Sequence, residues 1–191
     1  MAATPSTMLA LGTAAPGFSL PDVHTGRTVS LADFAGQEAL LVMFVCAHCP
    51  YVIHVQAELA RLSRDYASRG VAFVAITAND IARYPQDAPE PSAAMARAAG
   101  WTFPFLYDAT QQVARAYSAA CTPDFFLFDK ARHIVYRGQL DKSRPGSGTP
   151  DGADLRAALD AVLSAQPVSP NQKPSIGCSI KWKPGHEPKY S

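Results

Sequence analysis

Four cysteines in 191 residues are too few to staple a small secreted scaffold, so a disulfide framework is excluded as the source of this fold. Charge is scarce as well. Asp, Glu, Lys and Arg make up 17% of the chain, and 17 basic against 16 acidic residues leave a net charge of +1. That balance gives nucleic acid or an anionic membrane surface no electrostatic footprint to hold. No apolar run reaches the length that spans a bilayer. Residues 1–16 carry no Lys or Arg ahead of the short apolar run Met8 to Leu11 and do not read as a secretory signal. There is no internal repeat. Few cysteines and no leader point to a reducing compartment, with the cytoplasm the expected location.

What the chain does have is material for one core. Hydrophobic residues make up 48% of it, and 16 prolines mark several ordered turns. The length suits one well-packed domain and is short for two.

The most informative feature is Cys46-Ala47-His48-Cys49-Pro50, placed where the apolar run 39–45 hands over to an amphipathic helix. Val52, Val55, Leu59, Leu62 and Tyr66 recur at three- and four-residue steps and define one buried stripe, with Gly70 as the stop. Two cysteines with two residues between them can close a small disulfide. At a helix N-terminus, free N–H groups and the positive end of the dipole favour the thiolate, the attacking species in disulfide exchange. Pro50 disfavours helical geometry at Cys49, which should cap the helix near the surface. Zinc is a competing use of such a pair. It normally wants a second pair, and Cys121 and Cys178 stand alone in sequence. Neither a metal nor a cofactor is therefore expected.

Along the chain, residues 18–20 and 27–31 read as a hairpin around Pro21-Asp22-Val23-His24-Thr25-Gly26. The unbroken apolar run 39–45 is expected to be a central strand covered on both faces. Helix 50–69 and strand 71–77 then complete a right-handed parallel crossover. Residues 84–91, with three prolines, are expected to be loop, followed by a short helix 92–99. A strand at 103–106, a helix at 110–117, paired strands at 125–128 and 133–137, and a helix at 154–163 complete the expected elements. Residues 141–152 and 166–191 read as irregular.

This order of elements, with the cysteine pair after the first central strand and Thr122-Pro123 before a late antiparallel strand, resembles the thioredoxin fold. More closely, the chain is similar to the peroxiredoxin-like branch of that superfamily, the group related to alkyl hydroperoxide reductase and thiol-specific antioxidant proteins. The likeness is carried by Phe44-Val45-Cys46-Ala47-His48-Cys49-Pro50-Tyr51-Val52, by Cys121-Thr122-Pro123-Asp124-Phe125-Phe126-Leu127-Phe128-Asp129, and by Pro174-Ser175-Ile176-Gly177-Cys178-Ser179-Ile180-Lys181-Trp182. It implies an α/β domain over residues 11–165, with a central mixed β-sheet flanked by helices and an N-terminal hairpin. A flexible N-terminus (1–10) and an extended C-terminal tail (166–191) would lie outside it. It also implies a cis Thr122-Pro123 bond that sets Cys121 and Thr122 beside the cysteine pair and leaves the Thr122 backbone free for an extended substrate.

Departures from the two parent families bear on mechanism. Aligning Cys49-Pro50 with the peroxidatic Cys-Pro of peroxiredoxins puts Cys46 where their Thr belongs and Pro123 where their Arg belongs. Against thioredoxin, the buried acid falls at Leu40 and the Trp before the first cysteine at Val45. Proton transfer must then be arranged otherwise, and His48 is the candidate, favouring the first thiolate; the alternative is a solvated surface histidine. Cys121 could relay a disulfide or be a small buried hydrophobe, Cys178 could be a resolving thiol, and Trp182 is expected to anchor the tail.

The expected function is a thiol-disulfide oxidoreductase using Cys46 and Cys49, with His48, Cys121, Thr122 and Pro123 around them. Its expected partners are protein or low-molecular-weight thiols and disulfides and a cellular reductant, with no nucleic acid and no membrane. A thiol peroxidase with Cys49 peroxidatic and a non-catalytic redox sensor are the alternatives.

Overall fold

The structure is a computed structural model and describes residues 3–190. In chain order its strands and helices are β1 (Ala3–Pro5), β2 (Ser19–Pro21), β3 (Thr28–Ser30), β4 (Ala39–Phe44), α1 (Pro50–Ala67), β5 (Val71–Thr77), α2 (Pro89–Ala98), β6 (Phe105–Tyr107), α3 (Gln112–Ala116), β7 (Cys121–Thr122), β8 (Asp124–Phe128), β9 (Ile134–Gly138), α4 (Ala153–Leu163) and β10 (Ile176–Ser179). Short 3-10 turns lie at Leu31–Phe34 and Pro85–Asp87.

Five strands form the main sheet in the order β6-β5-β4-β8-β9. β4 is central, parallel to β5 and antiparallel to β8. Every residue of β4 is buried because both its faces are covered. Leu41, Met43 and Val45 face one core with Val52, Val55, Leu59 and Leu62 of α1 and Leu155 and Leu159 of α4. Leu40, Val42 and Phe44 face the other, with Tyr117, Phe126, Phe128 and Trp182. Alternation within one apolar run thus serves two cores. Tyr117 meets the Phe126 ring edge-on at 5.7 Å and lies 5.5 Å from the Phe44 ring. Trp182 is 7% exposed and anchors the tail as expected.

β4, α1 and β5 make the expected crossover, and Gly70, at φ +76°, turns the chain from α1 into β5. The fold is a thioredoxin-like α/β arrangement. Three local expectations need correction. Residues 84–91 are not all loop, because Pro89 and Pro91 occupy the first turn of α2, where a missing N–H costs no helical bond. Residues 3–10 and 166–190 are not separate from the fold either, residues 1, 2 and 191 lying outside those described: β1 and β10 pair with each other, and β10 pairs with β7, in a second sheet ordered β1-β10-β7. Their backbone groups find partners in one another.

Candidate active site

The handover from β4 to α1 sets out the cysteines. Cys49 is the N-cap of α1, with extended backbone, and Pro50 opens the helix as expected. Between the two cysteines the chain is held by a buried carboxylate. Asp87 Oδ1 accepts the N–H groups of Ala47 (2.9 Å) and His48 (3.2 Å), while its Oδ2 meets His48 Nδ1 at 2.5 Å and accepts Asn79 Nδ2 at 2.8 Å. Four groups converge on one acid that the 3-10 turn after β5 delivers. His48 stacks on Tyr84 with ring centres 5.6 Å apart, and its Nδ1 lies 4.0 Å from Cys46 Sγ.

β7 and β10 face the pair. The Thr122-Pro123 bond is cis, as the resemblance implies. Thr122 Oγ1 lies 3.3 Å from Cys46 Sγ, and the Thr122 carbonyl oxygen lies 3.1 Å from Cys49 Sγ. The Thr122 backbone is not free, however: it pairs with Cys178 of β10, and Ser179 pairs with Cys121. The edge that the resemblance leaves open to a substrate is occupied by the chain's own tail. For the same reason Cys49 is not near the surface. It is 0% exposed, and Cys46, Cys121 and Cys178 are buried with it; all four are free thiols.

Cys46 and Cys49 share a proton unequally. Cys46 is held well above the ordinary thiol range, first because its S–H donates to Cys49, then by burial and by the charge of Asp87. Cys49 is held well below that range. The Cys46 S–H is the main cause, opposed by burial and aided by the Cys178 thiol, Thr122 and the Val52 N–H at the helix start. The nearby Thr122 carbonyl accepts from the Cys49 thiol and so opposes ionisation. The donors outnumber it. The expectation that His48 favours a thiolate on the first cysteine is therefore corrected, because the carboxylate bound to the imidazole opposes a second negative charge beside it.

Of the sequence-expected residues, Cys46, His48, Cys49, Thr122 and Pro123 come together. The Cys121 thiol instead donates to the Pro123 carbonyl (3.6 Å), and burial pushes it well above its ordinary range. His48 is not a solvated surface residue, its side chain being 16% exposed. Asp87 and Asn79 escaped the sequence reading, since neither lies at a motif spacing. The one available signal is an acid set between Pro85 and Pro89 just after a central strand. Cys46 Sγ, His48 Nδ1 and an Asp87 oxygen lie within 4.8 Å of one another, a donor set that could hold a metal ion. In the structure, Asp87 already engages the histidine nitrogen.

The model of the Redoxin family matches residues 10–159. Thiol-disulfide oxidoreductase ResA of Geobacillus thermodenitrificans (strain NG80-2) is 29% identical over 161 residues, 83% of this chain and 82% of that protein. A Mycobacterium tuberculosis (strain H37Rv) protein provisionally named a peroxiredoxin is 32% identical over 116 residues, 61% of this chain and 68% of its own. Among solved structures, an uncharacterized conserved protein from Geobacillus kaustophilus is 55% identical, with a TM-score of 0.94 over 97% of this chain and 98% of that one. The thioredoxin domain of a thiol-disulfide oxidoreductase from Bacteroides vulgatus shares the fold at 23% identity, with a TM-score of 0.58 over 71% of this chain and 90% of that one.

Proposed function

This chain belongs to the Redoxin family and is an oxidoreductase working through thiols, and from that premise we propose that it exchanges disulfides through Cys46 and Cys49, with Cys49 attacking first. The observation that carries this reading is the place of Cys49 as the N-cap of α1, where free N–H groups and the dipole favour a thiolate and its thiol is held well below the ordinary range.

The Cys49 thiolate attacks one sulfur of a substrate disulfide, forming a mixed disulfide and expelling the other sulfur as a thiolate that takes up a proton. Cys46 then gives up its proton, attacks Cys49 Sγ and forms the Cys46-Cys49 disulfide, releasing the second substrate thiol. The substrate gains two electrons and the protein pair loses two. His48, whose Nδ1 lies 4.0 Å from Cys46 Sγ, is oriented by Asp87 to handle that proton. Because β10 fills the Thr122 edge, low-molecular-weight disulfides suit the site better than an extended polypeptide. Single-turnover mixing with a disulfide substrate tests the order: Cys46→Ser should still release one thiol equivalent at first contact, and Cys49→Ser should release none. Burst release by Cys49→Ser would assign the first attack to the other sulfur.

The burial of Cys49 favours a second reading, a thiol peroxidase in which Cys49 is the peroxidatic sulfur, since a small oxidant reaches an enclosed thiolate more readily than a protein does. Peroxide would oxidise Cys49 to the sulfenic acid, and a neighbouring thiol would condense with it, losing water. Fast peroxide-dependent sulfenate formation at Cys49, set against slow disulfide exchange, would select this reading.

A further inference from the structure

Resting on the reading of Cys49 as the attacking sulfur, we propose that Cys178 is a third redox thiol of this site, exchanging with Cys49 so that a Cys49-Cys178 disulfide forms as an alternative to Cys46-Cys49. Cys49 has a thiol on each side: Cys46 from its own loop and Cys178 from β10, all three buried in one cluster. Cys178 reaches this place because its residue pairs with Thr122, whose carbonyl oxygen is itself 3.1 Å from Cys49 Sγ.

The approach is built into the backbone. A Cβ added to Gly177 would lie 2.0 Å from the Thr122 carbonyl oxygen, so only glycine allows β10 to lie this close over the Thr122-Pro123 bond. The strand is fastened along its length. β1 pairs with its other edge, the Ser175 hydroxyl donates to the Gly138 carbonyl (2.6 Å), Ile180 N–H donates to the Ala120 carbonyl (3.1 Å), and Lys181 N–H donates to Asn79 Oδ1 (2.8 Å). Asn79 also donates to Asp87, so one side chain ties the tail to the group that orients His48. β10 thus takes the antiparallel place beside Thr122 that the thioredoxin likeness assigns to a bound substrate strand, and it presents a cysteine there.

The exchange needs no added oxidant. Starting from the Cys46-Cys49 disulfide left by substrate reduction, Cys178 loses its proton and attacks Cys49 Sγ. The Cys49-Cys178 bond forms, the Cys46-Cys49 bond breaks, and Cys46 departs as a thiolate and is protonated. One disulfide is present before and after, and the net transfer is one proton from Cys178 to Cys46. The ammonium of Lys181, whose Nζ donates to the Ser179 carbonyl at 2.7 Å, is a charge that favours ionisation of Cys178; burial and the charge of Cys49 oppose it. Once Cys49 is in a disulfide, its charge no longer does so.

The test uses the full chain and oxidised glutathione, with acid quenching, alkylation and mapping of disulfide-linked peptides by mass spectrometry. Cys46→Ser should end with Cys49 joined to Cys178 and the glutathione released, whereas Cys46→Ser/Cys178→Ser should keep a Cys49-glutathione adduct. A persistent Cys49-glutathione adduct in Cys46→Ser, with the Cys178 thiol still free to be alkylated, overturns the proposal. Should the Cys46 variants fail to fold, the oxidised wild-type chain decides: a Cys49-Cys178 species at equilibrium supports the third thiol and its absence rejects it. Cys178→Ser separates the two readings. If it forms Cys46-Cys49 while Cys46→Ser holds its adduct, only this inference falls; if neither disulfide nor adduct involves Cys49 in Cys178→Ser, the assignment of Cys49 as attacker falls first.

Discussion

Two of the molecule's sheets meet at Cys49, and they differ in how they are made. The five-stranded sheet is built from long apolar strands with a large covered area, and it sets the position of α1 and the cysteine loop. The three-stranded sheet is assembled from strands of three, four and two residues drawn from both ends of the chain and its middle, and it buries little of its own. The first carries the stability and the reactive sulfur. The second carries the residues that enclose that sulfur. Chemistry at this site therefore depends on a robust element and on a slight one pressed against it, and the two should respond very differently to perturbation.

The largest expected effect lies where the sheets touch. Cys49→Ser should lower multiple-turnover disulfide exchange by roughly 10³-fold or more, because it removes the attacking sulfur, while the melting temperature changes little. Thiol-release assays and a thermal melt on the same preparation check both halves. Retained turnover would move the reaction off Cys49 altogether.

Next comes Asp124, the first residue of β8, directly after the Pro123 that follows β7. It is fully buried, and burial pushes its carboxyl up to about 7, while the Ala120 N–H donates to its Oδ2 (3.2 Å). The unfolded chain releases this proton near the ordinary value of 3.8. Between those two values the folded state binds more protons than the unfolded one. Its contribution is therefore complete below about pH 4 and is lost as pH rises through about 7, by the order of a few kcal/mol. Denaturant midpoints at pH 5 and pH 8 should show lower stability at the higher pH, and Asp124→Asn should flatten that difference. An unchanged slope in the variant would remove Asp124 from the account.

A smaller effect should single out the slight sheet. Gly177→Ala forces a Cβ toward the Thr122 carbonyl, an overpacking that costs about 1–3 kcal/mol if β10 stays and less if it detaches. Detachment should expose Cys49 and Cys178 to alkylating reagents while the far-ultraviolet circular dichroism of the main sheet and helices holds. Unaltered alkylation rates together with unaltered stability would mean that the strand does not control access.

The same contrast explains what the sequence could and could not disclose. β4, β5 and α1 were legible because an apolar run covered on both faces and a stripe at helical spacing each imprint a pattern on side-chain types. The Cys46/Cys49 pair was legible because its spacing and its place before a helix are themselves chemical statements. β1, β7 and β10 left no such imprint: they are held by backbone pairing, with Gly177 needed for the close approach to Thr122, and two to four residues are too few for a period to show. Thr122-Pro123 was found by likeness alone. Asp87 left only its place between Pro85 and Pro89, because its partners, two backbone N–H groups and a histidine some forty residues earlier together with Asn79, meet it only once the chain is folded.

Asp87 supplies the smallest and most discriminating test. Asp87→Asn keeps the size of the side chain and one oxygen for the Ala47 and His48 N–H groups, so the cysteine loop should hold its shape. It removes the negative charge that opposes ionisation of Cys46 and the carboxylate that orients the His48 ring. Two opposed consequences follow for the sulfur that resolves the mixed disulfide. Loss of the charge makes the Cys46 thiolate easier to form, and loss of the carboxylate frees the ring that handles its proton. If orientation dominates, exchange should slow by about ten-fold, within the range of a mispositioned acid-base group, with first attack by Cys49 unaffected in single-turnover mixing. If charge dominates, the second step should speed up and its pH profile move to lower pH. A variant that lowers both steps equally, with no change in the profile, would reduce Asp87 to a brace for the loop, and the robust half of the site would then contribute a position and nothing more.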